Sequence, residues 1–441
     1  MVRWIRTILS VVVCAVLAAQ SGAALAAQNG GTDPRAVSDN WYRLILELVR
    51  HTPTYSPPVA SRSFAYIGVA AYESVASGRD GMVSLGGQLN GFAPPPARAA
   101  GEIYDDAVIL QAAMSTSVAA FFANTGPSGQ NSIARMTRLL DERVRAGLPE
   151  DVAARSAAYG EAVARHVLAW SETDGGAKIE NMGFPQQWAA SDSPGAWRPT
   201  SAIRQQQAPL LPDWGRNRTF ALPSVANCDL PPPPVYSEDP ASAFYAEAHE
   251  VYDTAKSLTD EQKAIARFWS DDPMLSATPP GHWIAITRQV LKGRDAPIEE
   301  QVDTLARVGI AMADAFIGCW SVKFRENLIR PVSYIRKTID KEFTPLLITP
   351  PFPEYPSGHS VQSSAAAEVL TALYGDNYAF TDDSAAEDGL PARSFRSFRA
   401  AAEEAAISRL YGGIHFRSAI EQGLKQGVCI GAYAAALRTR K

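Results

Sequence analysis

Pro353-Glu-Tyr-Pro-Ser357-Gly358-His359 stands immediately before a long run that is rich in Ala and Val. The spacing of the apolar residues in that run predicts a helix over 358–374, and Ser357 is placed to cap its first turn. A hydroxyl, a backbone N–H beside a glycine and an imidazole therefore gather at the positive end of a helix dipole. We interpret this arrangement as an oxyanion site, although a single histidine after a turn is more often structural than catalytic.

The rest of the chain shows the same helical periodicity, and strand-like alternation is scarce. Trp41, Ile45 and Leu48 follow the spacing of one amphipathic helix. Similar patterns lie near residues 60–78, 100–123, 131–147, 151–172, 242–257, 260–270, 297–322, 394–411 and 416–437. In the last of these helices, glycines at four-residue spacing between 423 and 431 favour the close approach of another helix. The sequence therefore predicts an all-α fold.

The composition is that of a globular protein: 46% of the 441 residues are hydrophobic and 20% are charged. A chain of this length and composition can bury a large core, which excludes an intrinsically disordered protein. Lys and Arg total 41 against 46 Asp and Glu, which gives a net charge of -5. Such a chain has no long-range attraction for nucleic acid or an anionic membrane, so we expect no nucleic-acid partner.

Residues 1–26 have the pattern of a cleaved secretory signal peptide. Arg3 and Arg6 precede an apolar run, and Ala24-Leu-Ala26 supplies small residues for cleavage. An uncleaved anchor helix is the alternative, but the run is short for a bilayer span of about 20 residues. No later stretch approaches that length without a charge. We therefore expect an exported protein, periplasmic or extracellular, that is free of the membrane once the signal peptide is removed.

Three cysteines follow the signal peptide, namely Cys228, Cys319 and Cys429. In an oxidising compartment this odd number allows at most one internal disulfide, and which residues would form it is left open. The sequence contains no Cys-x-x-Cys motif, which argues against a zinc site.

A change in composition suggests how the chain is organised. Between residues 175 and 240 the sequence becomes rich in Pro, Gln, Ser and Trp, which predicts a long irregular loop segment. A disordered linker is the alternative, but Trp188, Trp197, Trp214 and Phe220 are costly to leave in water. We therefore expect this loop to pack over the body. It separates an N-terminal helical part, 27–174, from a C-terminal helical part, 241–441, that carries the candidate site.

Two further stretches bring cations toward the same site. Lys323 and Arg330 are seven residues apart, so on one helix they share a face, and Pro331 disturbs the helix where the guanidinium must turn inward. Arg409 and His415 are six apart on either side of Gly412-Gly413, which should end one helix and let the two side chains converge. The alternative for the first pair is a solvated basic face.

The ordered set Lys323-x6-Arg330-Pro331, Pro356-Ser357-Gly358-His359 and Ser408-Arg409-x5-His415 resembles a known three-part signature. It is shared by type 2 phosphatidic acid phosphatases, bacterial nonspecific acid phosphatases and vanadium-dependent haloperoxidases. The detailed resemblance covers roughly residues 260–430. For most of the mature chain it implies an all-α architecture of two packed four-helix bundles.

The resemblance also implies a role for each residue of the signature. His415 would bond the central atom, vanadium in a haloperoxidase or phosphorus in a phosphatase, and His359 would be the acid–base group. The cofactor of the haloperoxidase would be vanadate. The groups implied to bind the oxygens of vanadate or phosphate are Lys323, Arg330, Ser357, the Gly358 N–H and Arg409.

Neighbouring residues favour the exported haloperoxidase branch. Trp320 and Phe352 match aromatic positions that flank the halide site, although core packing explains them equally well. Phe268-Trp-Ser-Asp-Asp272 and Thr278-Pro-Pro-Gly-His-Trp283 also resemble this branch. In this resemblance Asp272 is expected to pair with Arg409.

One departure bears on the chemistry. Many family members carry Asp four residues after the second histidine, and here that position is Ala419, with Glu421 on another helical face. Its absence weakens His415 as a nucleophile, whereas coordination of vanadate needs chiefly a free ring nitrogen.

We therefore expect a haloperoxidase-like enzyme that uses hydrogen peroxide and a halide or organic acceptor. The alternative is an exported acid phosphatase that hydrolyses a phosphomonoester through a phosphohistidine, and a third possibility is a non-catalytic oxyanion-binding protein. The halide and the oligomeric state are left open.

Overall fold

The computed structural model describes residues 32–178, 188–201 and 208–441. The predicted signal peptide, 1–26, lies outside the described residues. Five helices form the first helical part within its described residues, 32–174. They are α1 (Pro34–Arg50), α2 (Pro57–Ala76), α3 (Asp106–Phe121), α4 (Pro127–Arg145) and α5 (Glu150–Ser171).

The second helical part contains eight more helices and one short hairpin among the described residues. Its helices are α6 (Ala243–Lys256), α7 (Asp260–Phe268), α8 (Thr278–Gly293), α9 (Ile298–Glu326), α10 (Pro331–Thr338), α11 (Gly358–Tyr374), α12 (Phe398–Tyr411) and α13 (Arg417–Ala435). The antiparallel strands β1 (Phe380–Asp382) and β2 (Arg393–Phe395) form the hairpin. The prediction of an all-α fold is confirmed, whereas the start of the helix predicted over 394–411 is wrong, because β2 occupies residues 393–395.

Helix α9 is the central element, since it packs against α2 in the first part and against α11 and α13 in the second. The predicted close approach at the glycines of α13 is confirmed. A methyl group on Gly431 would lie 2.6 Å from the carbonyl oxygen of Ala365, and one on Gly423 would lie 2.8 Å from the Cβ of Ser360. Only residues without a side chain allow α11 and α13 to lie this close, and this contact fixes the start of α11.

The length and apolar composition of α9 would also suit a membrane span. However, 94% of the most apolar 18-residue stretch of this helix is buried inside the fold, as expected of a core helix. Within this helix Asp314 is buried and accepts hydrogen bonds from the backbone N–H groups of Phe220, Ala221 and Leu222. The carboxylate therefore holds the long loop against the central helix.

The described parts of the loop segment are 175–178, 188–201 and 208–240. Residues 176–178 are helical, and the other two stretches contain no α-helix and only two short 3-10 turns, Trp214–Arg216 and Val225–Cys228. Trp197, Trp214 and Phe220 are fully buried, as predicted for a loop that packs over the body. The same segment is tied to the second helical part by a disulfide between Cys228 and Cys429, while Cys319 is free and buried.

Candidate oxyanion-binding active site

The first two cations reach the site from different elements. Helix α9 ends at Glu326, and Asn327 caps it in the left-handed conformation with φ 48°. Arg330 is the extended N-cap of α10, a conformation favoured by the following Pro331. The prediction that Lys323 and Arg330 share the face of one helix is therefore wrong. Both side chains nevertheless converge, because the chain turns between the two helices.

Lys323 is fully buried, and its ammonium group is surrounded by backbone carbonyl oxygens. It donates to Pro353 O at 2.9 Å, to Glu354 O at 3.0 Å and to Pro356 O. Burial lowers the pKa of Lys323 to about 7, so its charge is held only weakly in this site. An oxyanion beside the ammonium would favour the charged form.

Arg330 is also fully buried and is held on two sides. Its Nε donates to Phe352 O at 2.8 Å, and its Nη1 donates to Ile414 O at 2.9 Å and lies 3.1 Å from Nε2 of His415. Its Nη2 is buried without a hydrogen-bond partner. An unpaired guanidinium N–H in a buried site is costly, so it marks a position where an acceptor oxygen is favoured.

The tautomer of His415 follows from its neighbours. A guanidinium can only donate, so Nε2, which faces Arg330, carries the lone pair. Nδ1 donates to Oε1 of Glu354 at 2.8 Å, and the Phe416 N–H donates to the same oxygen at 2.8 Å. Burial, reinforced by the charge of Arg330, holds the pKa of His415 well below its ordinary value. His415 is therefore a neutral imidazole whose Nε2 lone pair accepts from Arg330 here and could instead bond an electrophilic centre.

Glu354 is fully buried, and sequence reasoning gave it no role. Burial raises its pKa to about 8, against the opposing charges of Arg330 and Lys323. It supplies the orienting carboxylate that Ala419 does not, so the expectation that His415 lacks such a partner is wrong. The sequence did contain a signal, because Glu354 is the only charged residue between 343 and 358.

The start of α11 supplies the uncharged donors. Ser357 caps this helix, as predicted, and accepts from the Ser360 N–H at 3.3 Å, which leaves its own hydroxyl hydrogen available. The backbone N–H of Gly358 lies in the first turn, where no earlier carbonyl of the helix can accept it. A methyl group on Gly358 would make ordinary van der Waals contact with the ring of Trp320 at 3.7 Å, so no other residue crowds this turn.

Arg409 and His359 form the opposite side of the site. Helix α12 ends at Tyr411, and Gly413 has φ 74°, so Gly412-Gly413 separates two helices as predicted. Nη1 of Arg409 lies 3.3 Å from Nε2 of His359. Burial, together with the charge of Arg409, holds the pKa of His359 well below its ordinary value.

No direct ion pair joins Asp272 and Arg409 within the described residues, although the two charges act on each other electrostatically. Arg409 donates instead to the carbonyl oxygen of Trp269 at 2.6 Å. The neighbouring Asp271 is the carboxylate that faces the site, and its Oδ2 lies 3.8 Å from Nε2 of His359. Asp271 turns inward because it adopts the left-handed conformation, with φ 49°.

The two aromatic residues predicted near the halide lie beside the cations. The rings of Trp320 and Phe352 are 5.0 Å apart, and Phe352 lies 4.9 Å from the guanidinium of Arg330 and 5.1 Å from Nζ of Lys323. The Trp320 N–H donates to Leu210 O at 3.0 Å, so it is not free for a halide. A halide role for these residues stays a prediction.

The convergence of three buried cations, two neutral imidazoles and a helix N-terminus suits a compact, multiply charged oxyanion. No group of three or more His, Cys, Asp or Glu side chains in the described ranges could hold a bare metal ion. A metal held as its oxyanion, through His415 and charged donors, fits this set of residues better than a metal cation would.

Comparisons with known proteins agree with this geometry. A family model described as the VCPO second helical-bundle domain matches residues 303–441. A bacterial vanadium-dependent iodoperoxidase of known structure is 38% identical, with a TM-score of 0.85, over 92% of this chain and 97% of that chain.

A bacterial vanadium-dependent chloroperoxidase shares the fold in two forms at 16% identity. Its holo form has a TM-score of 0.69 over 88% of this chain and 93% of that chain, and its apo form has a TM-score of 0.66 over 87% and 93%. No curated protein sequence matches this chain. The match at 38% identity spans nearly the whole of both proteins, and on this basis the chain belongs to the vanadium-dependent haloperoxidase family.

Proposed function

We propose that this chain is a vanadium-dependent haloperoxidase that uses hydrogen peroxide to oxidise a halide. The observation that carries the proposal is the relation between His415 and Arg330. Nε2 of His415 lies 3.1 Å from the Arg330 guanidinium, and Nη2 of that same guanidinium is buried without a hydrogen-bond partner. A bound vanadate would need both a nitrogen ligand and donors to its charged oxygens.

The residues present fit vanadate. His415 would bond vanadium. The oxygens of vanadate would accept hydrogen bonds from Lys323, Arg330, Ser357, the Gly358 N–H and Arg409. Vanadate supplies a Lewis acid that activates hydrogen peroxide without a change in the oxidation state of the metal. For Lys323 to contact an oxygen, it must give up one of its three carbonyl partners.

The chain's own residues orient the reactants and move the proton. Arg330 and Arg409 neutralise charge, and Glu354 fixes His415 with Nε2 toward the site. His359 is poised to accept a proton at Nε2, since it is neutral and this nitrogen faces a donor rather than an acceptor at hydrogen-bond distance. It would take this proton from hydrogen peroxide and later return it to the product.

Two assays on the purified chain test the proposal. Halide oxidation by hydrogen peroxide is measured with and without added vanadate, and hydrolysis of a generic phosphomonoester is measured on the same sample. A haloperoxidase is activated by vanadate, whereas a phosphatase is inhibited by it. Phosphomonoester hydrolysis that vanadate inhibits, with no halide oxidation, would contradict the proposal.

A phosphatase is the second candidate, and the Glu354–His415 pair favours it. A carboxylate that orients the imidazole is what a histidine nucleophile requires, so the absence of Asp at position 419 no longer argues against a phosphohistidine. A covalent phosphate on His415, detected by rapid acid-free quenching and mass spectrometry, would support this reading.

For the halide, we propose iodide. The relative that is 38% identical is named an iodoperoxidase, whereas the named chloroperoxidase is only 16% identical. Rates with iodide, bromide and chloride at equal concentration test this choice. Faster oxidation of chloride than of iodide would contradict it.

We also propose that the chain is exported. The signal-like pattern of residues 1–26 and the disulfide between Cys228 and Cys429 support an oxidising compartment. Fractionation of the producing cell, with mass spectrometry of the N-terminus, tests this. A mature N-terminus near residue 27 in the exported fraction is expected, and an intact chain confined to the cytoplasm would contradict it.

A further inference from the structure

A buried histidine lies between two carboxylates behind the candidate site. Nδ1 of His282 is 2.9 Å from Oδ1 of Asp271, and its Nε2 is 2.8 Å from Oδ2 of Asp382. The side chains of the three residues are at most 6% exposed. Both ring nitrogens therefore face acceptors, and both must carry a proton to make these contacts.

The three residues lie on three different elements of the second helical part. Asp271 lies in the turn after α7, His282 in the first turns of α8, and Asp382 at the end of β1. The ring of Trp269 stacks on His282 with centroids 4.5 Å apart, which fixes the plane of the imidazole. The imidazole of His282 therefore links the hairpin, through Asp382, to the turn that carries Asp271.

This cluster carries a defined charge. An imidazolium between two carboxylates has a net charge of -1, and the nearby guanidinium of Arg409 balances it, since Asp271 and Asp272 both act on Arg409 electrostatically. A neutral His282 could donate to only one of its two partners and would leave the other carboxylate buried without a donor at this position. The geometry thus favours the charged imidazole and, with it, an ionised Asp271.

Asp271 connects this cluster to the acid–base histidine. Its Oδ2 is the carboxylate oxygen 3.8 Å from His359 Nε2, while Nη1 of Arg409 is 3.3 Å from the same nitrogen. The guanidinium favours a neutral His359, and the carboxylate favours a protonated one. A small movement of either partner is enough to change which of them His359 Nε2 contacts.

We propose that His282 and Asp382 are positioning residues for His359, which hold the Asp271 carboxylate opposite Nε2 so that this nitrogen can accept a proton during turnover. The inference rests on the proposed haloperoxidase function. It extends the site to two residues that touch neither the oxyanion nor the other reactants. Loss of a supporting hydrogen-bond partner of this kind typically lowers activity by about 10- to 100-fold.

The test compares Asp382→Asn and His282→Gln with Asp383→Asn. Asp383 is the next residue along the hairpin, is exposed and accepts from Gln289, outside the cluster, so its variant is the matched control. Thermal unfolding first establishes that each variant is folded. Asp382→Asn keeps the shape of the side chain and serves if His282→Gln does not fold.

Two readouts follow on the folded variants. With vanadate bound, kcat for halide oxidation is expected to fall about 10- to 100-fold in Asp382→Asn and His282→Gln, while the KM for halide and the Kd for vanadate stay within about twofold. On the vanadate-free protein, ¹⁵N-labelled histidine NMR is expected to show the ring signals of His359 shifted in both variants, in the same direction as in Asp271→Asn, which is recorded as the reference for loss of the carboxylate.

Wild-type signals of His359 or a wild-type kcat in folded Asp382→Asn, as in Asp383→Asn, would overturn the inference. The NMR arm needs no vanadate and no turnover. If the wild-type protein oxidises no halide, the proposed function fails while the spectra still report whether the cluster positions His359.

Discussion

Oε1 of Glu354 lies 2.8 Å from Nδ1 of His415, so a carboxylate 61 residues earlier in the sequence orients the histidine expected to bond vanadium. The Phe416 N–H binds the same oxygen and fixes the carboxylate in turn. This pair takes the place of the Asp that the sequence resemblance leads one to expect at position 419, where this chain has Ala. The hydrogen bond from Nδ1 to Glu354 therefore determines that Nε2 of His415 carries the lone pair.

Replacement of the Glu354 carboxyl group by an amide should loosen this orientation. Glu354→Gln keeps an oxygen for Nδ1 of His415 but removes the carboxylate, and we expect vanadate affinity and kcat to fall about 10- to 100-fold. Glu421→Gln, an exposed change on α13, is the control. Titration with vanadate and the rate of halide oxidation provide the measurement, and equal values for the two variants would show that Glu354 has no such role.

The three cations should each contribute to oxyanion binding. We expect Lys323→Ala, Arg330→Ala and Arg409→Ala to weaken vanadate binding by roughly 1.5–3 kcal/mol each, as for lost hydrogen bonds to charged groups. Arg399→Ala is the control, because Arg399 is on the surface and pairs with Glu368. Isothermal titration on the unloaded protein measures the affinity. The site assignment fails if all three variants bind as tightly as the control.

Oxyanion affinity should depend on pH through Lys323. Burial lowers the pKa of this lysine to about 7, so in the free site its charge is present below pH 7 and is lost above it. Molybdate, which remains a dianion between pH 6 and 9, is therefore expected to bind more weakly as pH rises through 7. Binding by Lys323→Met should be weak and should lose the change centred near pH 7, which leaves only the ionisation of Glu354, whose pKa burial raises to about 8. A constant wild-type affinity over this range would contradict the assignment.

The cluster around His282 should stabilise the fold in a defined pH range. The two carboxylates raise the pKa of His282 to about 10 against the opposing effect of burial. A raised pKa in the folded state contributes stability that is complete below the ordinary value near 6.5 and is lost as pH rises toward 10. The difference in unfolding free energy between wild type and His282→Gln, measured in urea, should shrink from pH 6 to pH 10. A difference that grows over this range would exclude a charged His282.

Residues near the predicted helix ends were identified from local signals in the sequence. Ser357 and Gly412-Gly413 mark a helix start and a helix end, and the structure has both where the sequence predicts them. The turn after Glu326 was missed, because the capping residue Asn327 is left-handed without being a glycine. The cations converge in spite of this, since Pro331 still determines the conformation of Arg330.

The partners of the predicted site residues could not be predicted in the same way. Asp271 meets His282 and His359 only after loop, helix and hairpin have packed, and no periodicity encodes a contact between residues 282 and 382. The choice between Asp271 and Asp272 depended on a single left-handed residue. Such contacts arise from tertiary packing, whereas the oxyanion-binding residues themselves belong to short continuous motifs.

The most direct test of the account is vanadate retention in two histidine variants. His415→Ala is expected to lose vanadate and all halide oxidation, because no other side chain replaces the bond from Nε2. His359→Ala is expected to retain vanadate through His415 and the three cations, but to lose about 10²–10⁴ in turnover, the usual effect of a missing acid–base group. Vanadium content after gel filtration, measured beside kcat, separates the two roles. Retention by His415→Ala together with loss by His359→Ala would contradict the account.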